Sequence, residues 1–201
     1  MRPSENPFAT HRLESLELSL DGTSLDELCA RVEVPGSRYC ILGAHGSGKT
    51  LLLDSLRASL IRKGAHCRSF SLEHGEQLES ILHRAQGAQL LSEAFVFIDG
   101  ADSISRPRWL ALRAKLRRAK SVIVTSHSRA IYPVLCRMQM TPELFHSLVG
   151  KLVDPQTIGV DLSELLREHN GNARNAFLSL YDLSAHRVRI DNRPLRSQIS
   201  G

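Results

Sequence analysis

The chain of 201 residues is 42% hydrophobic and 23% charged, and its formal net charge is +5. This length suits about one domain with a small addition, and this composition can bury a core, which argues against a large multidomain assembly and against wholesale disorder. The longest apolar run, 94–98, is far shorter than the ~20 residues that cross a bilayer, and residues 1–20 lack the apolar block of a signal peptide. We therefore expect a soluble, cytoplasmic protein without a membrane span.

The N-terminal part of the chain contains a polar segment and one helix signal. Residues 1–11 are polar and include two prolines, which predicts a flexible arm. Leucines that alternate between positions 16 and 20 indicate a short strand. Ser24 and Glu27 have the spacing of a capping box, which predicts a helix that ends before Pro35.

Strand and helix patterns alternate through the middle of the chain. Helical stretches near 76–86 and 106–120 separate short apolar runs of the kind that form buried strands. Such alternation predicts a parallel sheet with helices on both faces, in a core domain over residues 12–140. The predicted strands are Tyr39–Leu42, His66–Leu72, Ala94–Ile98, Ser121–Thr125 and Val134–Met138.

Helix signals replace strand signals after Met140. Start or stop residues occur at 141–143, at 161–164 and at 170–172, which predicts three short helices in a small domain over residues 141–185. The remaining segment, 186–201, carries four arginines and one proline and is predicted to be a basic tail.

A glycine-rich loop follows the first predicted strand and opens a helix. Residues 43–50 fit the phosphate-loop pattern G-x-x-x-x-G-K-[ST] in the structural context that this pattern requires. Backbone N–H groups of such a loop point at phosphate oxygens, and the helix N-terminus adds partial positive charge. Lys49 would supply a cation for the β- and γ-phosphates, and Thr50 a hydroxyl ligand for Mg²⁺. We predict an ATP or ADP site formed by Gly43, Ala44, His45, Gly46, Ser47, Gly48, Lys49, Thr50 and Leu51.

A second acidic site follows the apolar strand at 94–98. Asp99 stands at the end of this strand, which is where a Walker B carboxylate lies beside a phosphate loop, and we predict that it holds the water shell of Mg²⁺. The next residue is Gly100, where hydrolases with a catalytic acid usually have glutamate. The general base is therefore not identified at that position.

These motifs resemble those of the AAA+ and STAND ATPases. The segment 99–102 resembles the D-G-x-[DE] variant of STAND proteins, which implies that Asp102 orients the attacking water; the alternative is a helix N-terminal charge opposite the dipole. In both families the next strand ends in a polar sensor of the phosphate or water. This implies Thr125 or Ser126 as the sensor, with His127 a third candidate and a capping role for Ser126 the alternative.

The C-terminal helices add to the resemblance. The stretch 171–177 is similar to the G-N-x-R-x-A segment of AAA+ lids, which implies that Arg174 reaches the nucleotide phosphates; the alternative is an exposed arginine in a first helical turn. The resemblance covers about residues 24–184 and implies a P-loop NTPase sandwich of α/β class, with strand order 5-1-4-3-2 and a reduced helical lid. In that order strand 121–125 lies between strands 39–42 and 94–98, whereas kinases place the latter two side by side.

The leading hypothesis is an ATP-binding, Mg²⁺-dependent, ATP-hydrolysing switch that acts with a partner protein and can form oligomers. The alternatives are a small nucleoside or nucleotide kinase, and a module that binds ATP without turnover. The helix at 106–120 has seven basic residues and no acidic one, which suits a solvated face or a surface for an acidic protein, with nucleic acid less favoured. The residues predicted to serve catalysis are Lys49, Asp102, Thr125, Ser126 and Arg174.

Overall fold

The computed structural model describes residues 6–8, 23–72, 91 and 93–191, with side chains as far as residue 185. The predicted strand at 16–20 and the predicted helix at 76–86 lie outside these residues. The chain divides into two compact units, one over Glu17–Met140 and the other over Thr141–Gly201 with Met1–Leu16.

The first unit contains all the strands of the described residues. Its regular elements are α1 (Leu25–Glu33), β1 (Arg38–Gly43), α2 (Lys49–Arg62), β2 (Cys67–Ser71), β3 (Phe95–Asp99), α3 (Arg106–Lys115), β4 (Ser121–Ser126) and β5 (Val134–Met138). Two 3₁₀ turns, Ala101–Ser103 and Leu116–Arg118, follow β3 and α3.

The five strands form one parallel sheet in the order β2-β3-β4-β1-β5. This is the predicted order 5-1-4-3-2 read from the opposite edge, and the α/β prediction is confirmed. Strand β4 lies between β1 and β3, and all five carboxyl ends meet at one edge of the sheet. The pairing of β1 with β3 that a kinase-type sheet requires does not occur.

A local signal accounts for where α1 begins. Before α1, the Ser24 hydroxyl accepts from the N–H of Glu27 at 3.1 Å, and the Glu27 carboxylate accepts from the N–H of Ser24 at 3.1 Å, so the predicted capping box forms. Helix α3 ends at Lys115, earlier than the predicted 120, because a 3₁₀ turn and a bend lead into β4.

Both faces of the sheet are buried, as expected for a parallel sheet covered by helices. One face packs against α3 and the turn after it through a cluster that includes Trp109, Leu112 and Leu116. The alternate strand residues Ile41, Phe97 and Ile123 are fully buried on the other face. Among the described residues no helix is both long enough and apolar enough to cross a membrane.

The second unit is helical, with α4 (Pro142–Gly150), α5 (Leu162–Glu168), α6 (Ala173–Asp191) and a 3₁₀ turn at Pro155–Thr157. Helix α6 continues to Asp191, so the prediction of a tail from residue 186 is wrong for residues 186–191. The tail beyond Asp191 lies outside the described residues.

Residues 6–8 pack against the helices of this second unit. The Asn6 side chain donates to the carbonyl of Tyr181 at 2.9 Å, and the Phe8 ring lies 6.3 Å from that of Phe177. Asn6 and Phe8 are only 1% and 3% exposed. The prediction of a flexible arm over residues 1–11 is therefore wrong for residues 6–8, because a long-range aromatic contact outweighs the local polar composition.

Candidate functional site

The phosphate-loop segment joins β1 to α2 at the carboxyl edge of the sheet. Its glycines stand where a side chain would clash or where φ is positive. A Cβ at Gly43 would lie 2.3 Å from the carbonyl oxygen of Met138, so no larger residue fits there. Gly46 and Gly48 have φ of 71° and 92°, the left-handed region that glycine enters without strain. The loop therefore needs glycine at each of these three positions.

Lys49 and Ser47 place polar groups inside this loop. The Lys49 ammonium donates to the carbonyls of Gly43 at 2.8 Å and Ala44 at 2.6 Å, and the side chain is 6% exposed. The buried Ser47 hydroxyl has no hydrogen-bond partner within the described part of the chain. The loop thus combines the Lys49 cation with the first N–H groups of α2, which are donors of the kind that a phosphate group needs.

Asp99 is held between two threonines. The exposed Thr50 donates its hydroxyl hydrogen to Asp99 Oδ2 at 2.8 Å, and the Thr125 hydroxyl donates to Asp99 Oδ1. Thr125 also accepts from the backbone N–H of Gly100 at 2.9 Å and is 1% exposed. The register of β3 and β4 aligns Ile98 with Val124 and so brings Asp99 beside Thr125. Thr125 therefore fixes the orientation of the carboxylate.

Asp102 belongs to a second hydrogen-bonded group beyond the end of β4. Its Oδ1 accepts from the Ser126 hydroxyl at 2.5 Å, and its Oδ2 accepts from the backbone N–H of His127. The Ser126 hydroxyl also lies 2.6 Å from the carbonyl oxygen of Arg129, and Ser126 is fully buried. Asp102 thus ties the 3₁₀ turn after β3 to the chain that leaves β4.

Two histidines stack at the phosphate loop. The ring centroids of His45, in the loop, and His127, after β4, lie 3.5 Å apart with a 32° angle between the ring planes. The pKa of His127 is lowered from its ordinary value, first by burial and then by the positive charges of Lys49 and His45, while Asp102 and a hydrogen bond to the Gly43 backbone oppose the shift. The neutral imidazole is therefore favoured at pH 7.

The oxygen atoms of Thr50 and Asp99 suit Mg²⁺ better than a softer metal. Mg²⁺ commonly takes one or two protein oxygens together with substrate phosphates and water, instead of a cage of side chains. Among the described residues, no three His, Cys, Asp or Glu side chains are grouped so that they could hold a metal ion. The hydroxyl and carboxylate present therefore fit Mg²⁺.

In the first unit the predicted site residues fall into three groups. Lys49 lies in the loop, Thr50 and Thr125 both contact Asp99, and Asp102 with Ser126 forms the adjoining group. Arg174 is exposed on the first turn of α6, in the second unit, and its role stays a prediction. The sensor and water-orienting roles also stay predictions.

Two features of the site were not anticipated from the sequence. One is the bond from Thr125 to Asp99, although a parallel alignment of β3 with β4 would have indicated it. The other is the contact between His45 and His127, for which the sequence contains no signal because the two residues are far apart along the chain.

Comparison with known proteins shows the fold. No protein-family model and no curated protein sequence matches the chain. Domain III of the replication initiation protein DnaA from Thermotoga maritima is similar in structure, with a TM-score of 0.65 and 13% identity over 89% of each chain. AMPPCP-bound DnaA from Aquifex aeolicus gives 0.57 and 14% identity, over 89% of this chain and 68% of that one. Hsp104 bound to ATPγS gives 0.57 and 14%, over 93% and 43%. The chain therefore has the fold of the AAA+ ATPases.

Proposed function

We propose that this protein is an ATP-binding, Mg²⁺-dependent, ATP-hydrolysing switch that acts with a partner protein. The observation that carries the proposal is the 2.8 Å hydrogen bond between Thr50 and Asp99, directly beside the loop that contains Lys49. It joins the metal-ligating hydroxyl of a phosphate loop to the carboxylate of the acidic strand, which are the two protein ligands that P-loop NTPases use for Mg²⁺.

Phosphate binding would use groups that already lie in the loop. The Lys49 ammonium and the N-terminus of α2 supply positive charge for the phosphate oxygens. The structures of DnaA and Hsp104 that resemble this one contain the ATP analogues AMPPCP and ATPγS, which supports ATP as the ligand. Thr50 and Asp99 would hold Mg²⁺, which when bound neutralises negative charge on the phosphate oxygens.

Turnover requires a group that orients water. Asp102 is the candidate because Ser126 and His127 hold its two carboxylate oxygens in a fixed direction, and each oxygen keeps a further lone pair. Gly100, which follows Asp99, has no side chain that could act as a base. Thr125, which contacts Asp99, would act as a positioning residue for the metal-binding carboxylate.

The surface of α3 favours an acidic protein partner. Arg106, Arg117 and Arg118 are exposed along this helix and the turn that follows it, and Leu110 is 68% exposed among them. Exposed arginines interleaved with an apolar side chain resemble the composition of protein interfaces. The cationic face would therefore attract an acidic surface, and Leu110 would be covered by the contact.

Two substitutions test binding and turnover separately. Lys49→Ala removes the cation of the loop, so ATP binding measured by titration should fall by at least about tenfold, since a charge-assisted hydrogen bond contributes roughly 1.5–3 kcal/mol. Asp102→Asn keeps the shape of the side chain, so it should spare ATP binding and lower phosphate release. Lys63→Ala is the matched control, because Lys63 pairs with Glu33 on the surface at 2.8 Å.

The same assays distinguish the alternatives. Phosphate release from ATP alone supports a hydrolase, whereas transfer to an added nucleoside or nucleotide would identify a kinase. Tight ATP binding with no release in either assay would identify a module that binds without turnover. Unchanged release by Asp102→Asn would contradict the water-orienting role assigned to Asp102.

A further inference from the structure

The imidazole rings of His45 and His127 stack at the phosphate loop, and the proposed phosphate binding and water orientation use neither ring. The ring centroids are 3.5 Å apart, close enough for face contact between the two imidazoles. His45 is exposed and His127 is half-buried, so one ring is open to solvent and the other lies against the protein. The Nδ1 atom of His127 is buried and has no hydrogen-bond partner within the described part of the chain.

Several charged groups face this pair. The Lys49 ammonium approaches from α2 and His45 from the loop, while the Asp102 carboxylate, on the 3₁₀ turn after β3, accepts from the His127 N–H. The backbone of Gly43 also opposes the lowering of the His127 pKa. His127 thus lies near two cationic groups, Lys49 and protonated His45, and one anionic group, Asp102. Burial adds to the free-energy cost of protonating its ring.

A bound polyphosphate would change the free-energy cost of protonating the two rings. Its negative charge beside the loop would offset the positive charges of Lys49 and His45, and protonation of the ring pair would then be less costly. Proton binding and phosphate binding must favour each other to the same extent, because linkage is reciprocal. We propose that His45 and His127 form a proton-coupled part of the polyphosphate site, so that nucleotide binding is accompanied by uptake of a proton on this ring pair.

The direction of the pH dependence follows from the two states. In the nucleotide-free protein the pKa of His127 lies below its ordinary value. The negative charge of a bound polyphosphate is expected to raise it. Affinity therefore rises as pH falls from the bound-state pKa to the free-state pKa, by up to about tenfold per pH unit for one coupled proton. Above and below this window the contribution of the pair to the pH dependence disappears.

Calorimetric titration of the full chain with ATP tests this inference, which rests on the proposed function. At pH 7, in buffers with different heats of ionisation, the dependence of the binding heat on the buffer gives the number of protons taken up. A terminal phosphate itself titrates near pH 6, so the informative quantity is the difference between wild type and variant. We expect greater uptake in wild type than in His127→Gln or His45→Gln. His66→Gln, at an exposed histidine before β2, should match wild type.

The outcomes distinguish the proposed ATPase function from the proposed proton uptake by the two histidines. No binding heat with wild type would overturn the proposed function, and this inference with it. Binding with the same proton uptake in wild type and both ring variants would overturn only the inference. Should His127→Gln fail to fold, NMR titration of wild type with and without ATP replaces it: the His127 imidazole pKa must rise on binding, and an unchanged pKa would overturn the proposal.

Discussion

Replacing Thr125 by valine removes one hydroxyl at the centre of the site and keeps nearly the same side-chain shape. That hydroxyl donates to Asp99 and accepts from the backbone N–H of Gly100 at 2.9 Å, and Thr125 is 1% exposed. The variant would leave the N–H of Gly100 buried without a partner, which costs about 1–3 kcal/mol. Asp99 would also lose the bond that orients it towards Thr50.

Two measurements report the loss of the Gly100 hydrogen bond and the loss of the Asp99 hydrogen bond. Urea denaturation should show that the free energy of unfolding falls by about 1–3 kcal/mol in Thr125→Val. The gain in ATP affinity that Mg²⁺ provides should fall by about tenfold, which corresponds to about 1.4 kcal/mol. Thr125→Ser is the matched control: it keeps the hydroxyl, loses a buried methyl group at a cost of about 1 kcal/mol, and should retain the effect of Mg²⁺.

The role assigned to Thr125 is refuted if Thr125→Val retains both the stability of wild type and its full Mg²⁺ dependence. If Thr125→Ser and Thr125→Val lose the Mg²⁺ effect equally, the packing of the methyl group, and not the hydroxyl, controls Asp99.

Two further predictions concern the helical unit. Phe8→Ala should lower the free energy of unfolding by about 3–5 kcal/mol in urea denaturation, because it empties a buried aromatic position beside Phe177, whose ring lies 5.0 Å from that of Phe145. The control Leu178→Ala, at a side chain that is 58% exposed, should have almost no effect. Equal losses of stability in the two variants would contradict the packing role of Phe8. Arg174→Ala should weaken ATP binding by about one to two orders of magnitude in parallel titrations with ATP and ADP while stability stays nearly unchanged; affinities equal to those of wild type for both nucleotides would reject the phosphate contact.

The order of β1, β3 and β4 could be predicted because each of these strands ends in a motif through which the sequence resembles the AAA+ and STAND ATPases. Strand β1 is followed by the phosphate loop, β3 ends in Asp99, and β4 ends in the polar pair Thr125 and Ser126. A known arrangement of these three motifs implies the position of β4 between β1 and β3 without knowledge of any tertiary contact. The capping box before α1 was equally readable because it involves neighbours in the sequence.

The contacts that complete the site could not be predicted in the same way. The bond between Thr125 and Asp99 depends on the register of two strands, and the stack of His45 on His127 depends on the conformation of two loops. The burial of Asn6 depends on a hydrogen bond to Tyr181, which no local pattern indicates. Periodicity identifies elements and the faces they bury, whereas contacts between distant residues require the three-dimensional packing.

The most direct test of the ATPase proposal is phosphate release from ATP by wild type and Lys49→Ala, measured with Mg²⁺ and with a chelator in its place. The proposal predicts release by wild type that depends on Mg²⁺ and none above background by Lys49→Ala, whose loop lacks the cation that bonds to the Gly43 and Ala44 carbonyls in wild type. Equal release by the two proteins, or release by wild type that is indifferent to Mg²⁺, would contradict it.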